Sequence, residues 1–98
     1  MPVKVGFLLR LEAKPGKGRE LGAFLERGRE FVMAESGTVT WYAFRVSETE
    51  YGIFDAFETE EAREAHHVGG LAKALGLAAP EMLTGAPDVH PVQIVAAK

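Results

Sequence analysis

The residues best suited to chemistry lie in one stretch, GTVTWYAFRVSETEYGIFDAFETEEAREAHH, from Gly37 to His67. It holds the only Trp (Trp41), both Tyr (Tyr42 and Tyr51), and two of the three His (His66 and His67). Histidine is the side chain whose ordinary pKa lets it accept a proton near neutral pH, so His66 is the candidate general base. The bland alternative is a core histidine satisfied by one hydrogen bond, which is the commoner fate of such a residue. Trp41 and Tyr42 are adjacent in a strand-like run, so their side chains point to opposite faces and cannot line one pocket within a subunit. Tyr51, Asp55 and Phe57 share a face. Asp55 between aromatics is costly to bury unpaired, and Arg45 or Arg10 is available to neutralise it. A structural ion pair is the plainer reading of Asp55, and orientation of a substrate hydroxyl the sharper one.

Other chemistries find little support. The chain has no cysteine, which removes thiolate metal sites, disulfides and thiol nucleophiles. His66 and His67 diverge on a helix, His90 is distant, and no two-His-one-carboxylate spacing stands out, so no metal site is expected. Gly16-Lys17-Gly18 lacks the pattern of a phosphate loop. The serines, Ser36 and Ser47, both fall in turns, so no Ser-His-Asp arrangement can be assigned.

The composition bounds the partners. The chain has 98 residues, Lys+Arg 11 against Asp+Glu 14 and a net charge of -3, mixed along its length. That balance argues against nucleic acid. No stretch approaches the roughly 18 apolar residues of a membrane span. One domain over residues 1–98, located in the cytoplasm, is the expectation.

The elements that must position these residues follow from periodicity. Val3, Val5, Phe7, Leu9 and Leu11 alternate with other residues and predict a half-buried strand, ended by Lys14-Pro15-Gly16. Leu21, Phe24, Leu25, Gly28, Phe31 and Val32 form one helical stripe, with Arg19, Glu20, Glu26, Arg27, Arg29 and Glu30 away from it. Gly28 on that stripe suggests close approach to a sheet, and Gly37 is the stop signal. Thr38 to Val46 and Tyr51 to Phe57 read as a hairpin. Thr59 is an N-cap for a helix whose inward face carries Ala62, Ala65, His66 and Gly69. Gly69-Gly70 interrupts it. Leu71 to Gly76 resumes a helix, a separate short helix is expected over Pro80 to Leu83, and Asp88 to Ala97 closes the chain as a strand. The order β-α-β-β-α-(α)-β is an α+β, ferredoxin-like pattern: an antiparallel sheet with helices on one face. Aromatics on both faces of the hairpin call for a second cover, and a second subunit docking on the free face supplies it.

The run Gly37…Trp41-Tyr42…Ile53-Phe54-Asp55-Ala56-Phe57…Glu61-Ala62…Ala65-His66 resembles the antibiotic biosynthesis monooxygenase superfamily, and the resemblance extends over nearly the whole chain. It implies a ferredoxin-like subunit that pairs through its sheet as a dimeric α/β barrel, in a homodimer or a higher assembly. It also implies a pocket between sheet and helices. The implied activity is a cofactor-independent monooxygenase that oxidises a small phenol or quinol with dioxygen. In that scheme His66 is the proton acceptor and Trp41, Phe57, Tyr51 and Asp55 are substrate-binding, with no metal or other cofactor. A non-catalytic ligand-binding or structural module of the same fold, or a non-redox isomerase, is the alternative. Haem-degrading members use an Asn on the first strand and a Trp at the position of Phe57. This chain has no Asn and its Trp lies elsewhere, which disfavours that reaction.

Overall fold

The structure, a computed structural model, describes residues 2–98. Its elements are β1 (Val5–Glu12), α1 (Gly18–Met33), β2 (Thr38–Arg45), β3 (Glu50–Phe57), α2 (Glu60–His67), α3 (Gly70–Met82) and β4 (Asp88–Gln93). The strands form one antiparallel sheet in the order β2-β3-β1-β4, as the ferredoxin-like reading requires. The sheet is open, with β2 and β4 at its edges.

Register decides which side chains meet. Val5, Phe7, Leu9 and Leu11 of β1 stand opposite Phe57, Asp55, Ile53 and Tyr51 of β3. Trp41, Ala43 and Arg45 of β2 stand opposite Asp55, Ile53 and Tyr51. Because side chains alternate along a strand, all of these share the face that meets the helices. Leu11, Leu21, Leu25, Tyr51, Ile53, Leu75 and Met82 fill the space between sheet and helices. Each such large apolar side chain contributes about 1.5–3 kcal/mol on burial.

On α1 the buried residues are Leu21, Leu25, Gly28 and Val32, a single stripe at helical period. Phe31, expected on that stripe, is half exposed. It lies against Gly70, where a Cβ would come 2.7 Å from its ring. Gly28 does allow a close approach, but to α3: a Cβ there would lie 2.8 Å from Leu71 Cδ1. Thr59 caps α2 by accepting from the Ala62 N–H at 3.1 Å. Gly69 separates α2 from α3, at the interruption expected there.

Two expected boundaries are corrected. Pro80 lies inside α3, which runs unbroken to Met82. Proline removes the bond to the carbonyl four residues back, which is that of Gly76, an exposed residue whose carbonyl water can serve. β4 stops at Gln93, which pairs with Val5, the first residue of β1. Beyond it a single bond continues, from the Ile94 N–H to the Lys4 carbonyl at 2.9 Å, and Val95 is exposed.

The other face of the sheet carries Leu8, Phe54, Tyr42, Phe44 and Val92. Tyr42 is 64% exposed and Phe44 40%. The Phe44 ring lies over Gly52, where a Cβ would come within 2.4 Å of it. No helix is long and apolar enough to cross a membrane among the described residues.

Candidate functional site

The third strand, the second helix and the end of the first helix converge on His66. The β3 register places Asp55 on the helix-facing side, where it is 0% exposed. Its Oδ1 accepts from the Phe7 N–H at 3.0 Å. Its Oδ2 lies 3.1 Å from His66 Nε2, in ion-pair contact but without the alignment of a hydrogen bond. The other ring nitrogen, His66 Nδ1, is 2.6 Å from Glu35 Oε1, which also accepts from the Thr38 hydroxyl at 2.6 Å. His66 is 8% exposed, and its ring stacks at a tilt on Phe57, centroids 5.3 Å apart. Arg63 ties the same helix to the sheet through the carbonyls of Gly6 and Val92.

Electrostatics follow from this geometry. Burial pulls the His66 pKa down, and the contacts with Asp55 and Glu35 outweigh it, so His66 holds its proton to higher pH than an ordinary histidine. Neither Arg45 nor Arg10 neutralises Asp55. Arg10 is on the opposite face and pairs with Glu50 at 2.6 Å, while Arg45 Nε donates to the Ser47 carbonyl at 2.9 Å. The expectation of small alanines beside an inward His66 is also corrected. Ala65 is exposed, and the space next to His66 is a cavity of about 40 Å³ lined by Phe7, Leu9, Ile53 and Leu71. A void of that size holds a water molecule but no aromatic ring.

A larger groove of about 540 Å³ opens between α1 and β2, within the usual range of small-molecule sites. Trp41 and Tyr51 form its aromatic wall, Leu25 and Gly22 its helix side, and Arg29 and Arg45 its cationic border. A Cβ at Gly22 would sit in ordinary contact with the Tyr51 ring, at 3.4 Å. Trp41 connects the groove to the histidine cluster, being the cross-strand partner of Asp55. Trp41 Nε1 and Asp55 Oδ2 are buried side-chain atoms with no hydrogen-bond partner among the described residues.

The residues singled out from sequence thus divide. His66, Asp55 and Phe57 are packed together; Trp41 and Tyr51 line the groove. Tyr42 is on the far face, and His67 stacks on Phe7 at the helix edge, centroids 5.1 Å apart. Glu35, Arg29 and Gly22 were not singled out from the sequence as site residues. Glu35 had a signal: it falls three residues after the buried Val32, on the continuation of the α1 stripe. Arg29 and Gly22 had none, since the groove exists only once α1 packs beside β2. Among the described residues no group of three or more His, Asp or Glu is placed to hold a metal ion.

A scan of protein-family models returns no match, and neither does a search of curated proteins. Solved structures do match. A protein of unknown function from Nitrosomonas europaea is 40% identical, with 98% of this chain and 93% of that one covered and a TM-score of 0.96. A putative antibiotic biosynthesis monooxygenase from Caulobacter crescentus matches at 22% identity and TM-score 0.82, covering 96% of this chain and 92% of its own. One of the same description from Nitrosomonas europaea matches at 11% and 0.84, covering 94% and 99%. The last two share the fold. The chain belongs to one family with the Nitrosomonas europaea protein of unknown function, and it shares its fold with the two putative antibiotic biosynthesis monooxygenases.

Proposed function

We propose that this protein is a cofactor-independent monooxygenase that oxidises a small phenol or quinol with dioxygen, its substrate lying in the groove against Trp41 and Tyr51. The observation that carries the proposal is the histidine clamped between two carboxylates one cross-strand neighbour away from an aromatic groove. A raised proton affinity makes neutral His66 a stronger acceptor for a phenol proton. Asp55 and Glu35, one beside each ring nitrogen, supply that raised affinity. The proton rests on the imidazole, where Asp55 and Glu35 stabilise the cation, until the peroxide needs it.

The phenolate then gives one electron to dioxygen. The phenoxyl radical, at a ring carbon, and superoxide combine into a carbon–oxygen bond. The imidazolium returns its proton to the outer peroxide oxygen, the O–O bond breaks, that oxygen leaves as water with the hydrogen of the ring carbon, and a quinone carbonyl remains. One dioxygen is consumed, and one of its atoms departs as water. The chain supplies the base, the orientation and the exclusion of bulk water. Oxygen uptake by metal-free protein against a panel of quinols tests the reading. Turnover no greater than that of a His66→Ala variant sinks it.

A second reading, a non-catalytic dimeric ligand-binding module, is favoured by one observation. Both His66 nitrogens are already engaged, and the adjoining cavity of about 40 Å³ admits no substrate ring. Ligand binding in the groove without turnover selects it.

The same proposal includes a homodimer formed through the open sheet face, where Tyr42 and Phe44 present apolar surface to solvent. It also includes a cytoplasmic location, in keeping with the absence of cysteine.

A further inference from the structure

We propose that the groove between α1 and β2 selects an anionic aromatic molecule, an aryl carboxylate, whose ring packs on Trp41 and Tyr51 and whose carboxylate is held by Arg29 and Arg45. The inference rests on reading that groove as the ligand site, and it names the substrate class. Three observations support it. Two guanidinium groups reach one groove from different elements, Arg29 from α1 and Arg45 from β2. Neither is in ion-pair contact with a carboxylate among the described residues. Arg45 uses only its Nε, on the Ser47 carbonyl, which fixes the side chain and leaves the other N–H groups of the fork available.

Charge counting points the same way. Glu26 is the only acidic residue on the groove wall against Arg29 and Arg45, so the groove is locally positive on a chain of net charge -3. Guanidinium groups bind carboxylates through paired, charge-assisted hydrogen bonds, and two of them from separate elements fix the direction of the ligand as well as its charge. The flat wall of Trp41 and Tyr51 sets the ring plane. A volume of about 540 Å³ accommodates one fused two-ring system.

The test compares 2-naphthoate with its neutral isostere 2-naphthamide by isothermal titration calorimetry on the full chain. The acid is expected to bind at least tenfold more tightly. In an Arg29→Gln/Arg45→Gln double variant the affinity for the acid falls to that for the amide and the preference disappears. Both positions are exposed, and far-UV circular dichroism verifies the fold. Gly22→Leu fills the groove and removes binding of both probes. Equal affinities for acid and amide, no binding of either, a preference that survives the double variant, or binding unaffected by Gly22→Leu each overturns the proposal. Naphthoate binding in a protein that consumes no oxygen with any quinol refutes the oxygenase and leaves this inference standing. Turnover of neutral quinols without any preference for the acid does the reverse.

Discussion

Replacing His66 with Ala exposes the energetics of the buried charge cluster. Asp55, 0% exposed, keeps the Phe7 N–H at 3.0 Å but loses the imidazole opposite its other oxygen. Removing one partner of a buried pair costs about 3–5 kcal/mol, because the remaining charge stays desolvated. Against a total stability of about 5–15 kcal/mol, that leaves a marginal fold. Asp55→Asn is the informative partner. Its amide oxygen still accepts from Phe7, and its amide N–H group can donate to the neutral ring of His66, whose Nδ1–H then donates to Glu35. That exchange costs about 1 kcal/mol. In the double variant no carboxylate remains at position 55 to be stranded. It is expected to be more stable than the sum of the single losses implies, by about 1–3 kcal/mol. Urea unfolding, followed by Trp41 fluorescence and circular dichroism, measures all four proteins.

The same experiment run across pH fixes the origin of the coupling. The folded-state pKa of His66 is raised, so its stabilising contribution is complete below the unfolded value of about 6.5 and is lost as pH rises through the folded value. The stability gap between wild type and Asp55→Asn is therefore expected to shrink from pH 6 towards pH 9. Single-variant losses that add to within about 0.5 kcal/mol, with a gap indifferent to pH, refute the electrostatic account of the cluster.

Three further outcomes are expected. Gly6→Ala places a Cβ 2.1 Å from the Asp55 carbonyl oxygen of the neighbouring strand, an atom that cannot rotate away; the variant is expected to lose about 3 kcal/mol or fail to fold, as read by thermal melting. Thr59→Ala removes the acceptor of the Ala62 N–H and is expected to cost about 1 kcal/mol in the same assay. Tyr42→Asp/Phe44→Asp puts charge on the exposed sheet face and is expected to convert a dimer into a monomer in sedimentation, with the melting curve of the subunit retained; an unchanged mass shows that this face is not the interface.

The sheet was readable because its strands alternate in a way that only one face can absorb. Val5, Phe7, Leu9 and Leu11 alternate along β1, and the register sets them opposite Phe57, Asp55, Ile53 and Tyr51 of β3 on one face. The α1 stripe was readable for the same reason at helical period. What escaped depends on neighbours. Ile94 and Val95 look like strand residues, yet past Gln93, among the described residues, only the Ile94 N–H still reaches the preceding chain, at the Lys4 carbonyl, and Val95 lies in solvent. Pro80 looks like a helix start, yet the carbonyl it leaves unpaired belongs to exposed Gly76, so α3 continues through it. His66 was visible as an inward residue, but its state depends on Glu35, thirty-one positions away, which no local pattern ties to it. The groove needs Gly22, Arg29, Trp41 and Arg45 from two elements whose lateral packing no local pattern encodes.

The central claim is that neutral His66, backed by Asp55 and Glu35, accepts a substrate proton in an oxygen-consuming reaction. Its most direct test is the pH profile of oxygen uptake by metal-free wild type and Asp55→Asn with one quinol that turns over. The account predicts an acid limb above the ordinary histidine value of about 6.5 in wild type, since the raised pKa keeps the imidazole protonated to higher pH. Losing the Asp55 charge should move that limb to lower pH, and His66→Ala should abolish turnover. An acid limb that stays in place in Asp55→Asn, or full oxygen uptake by His66→Ala, contradicts it.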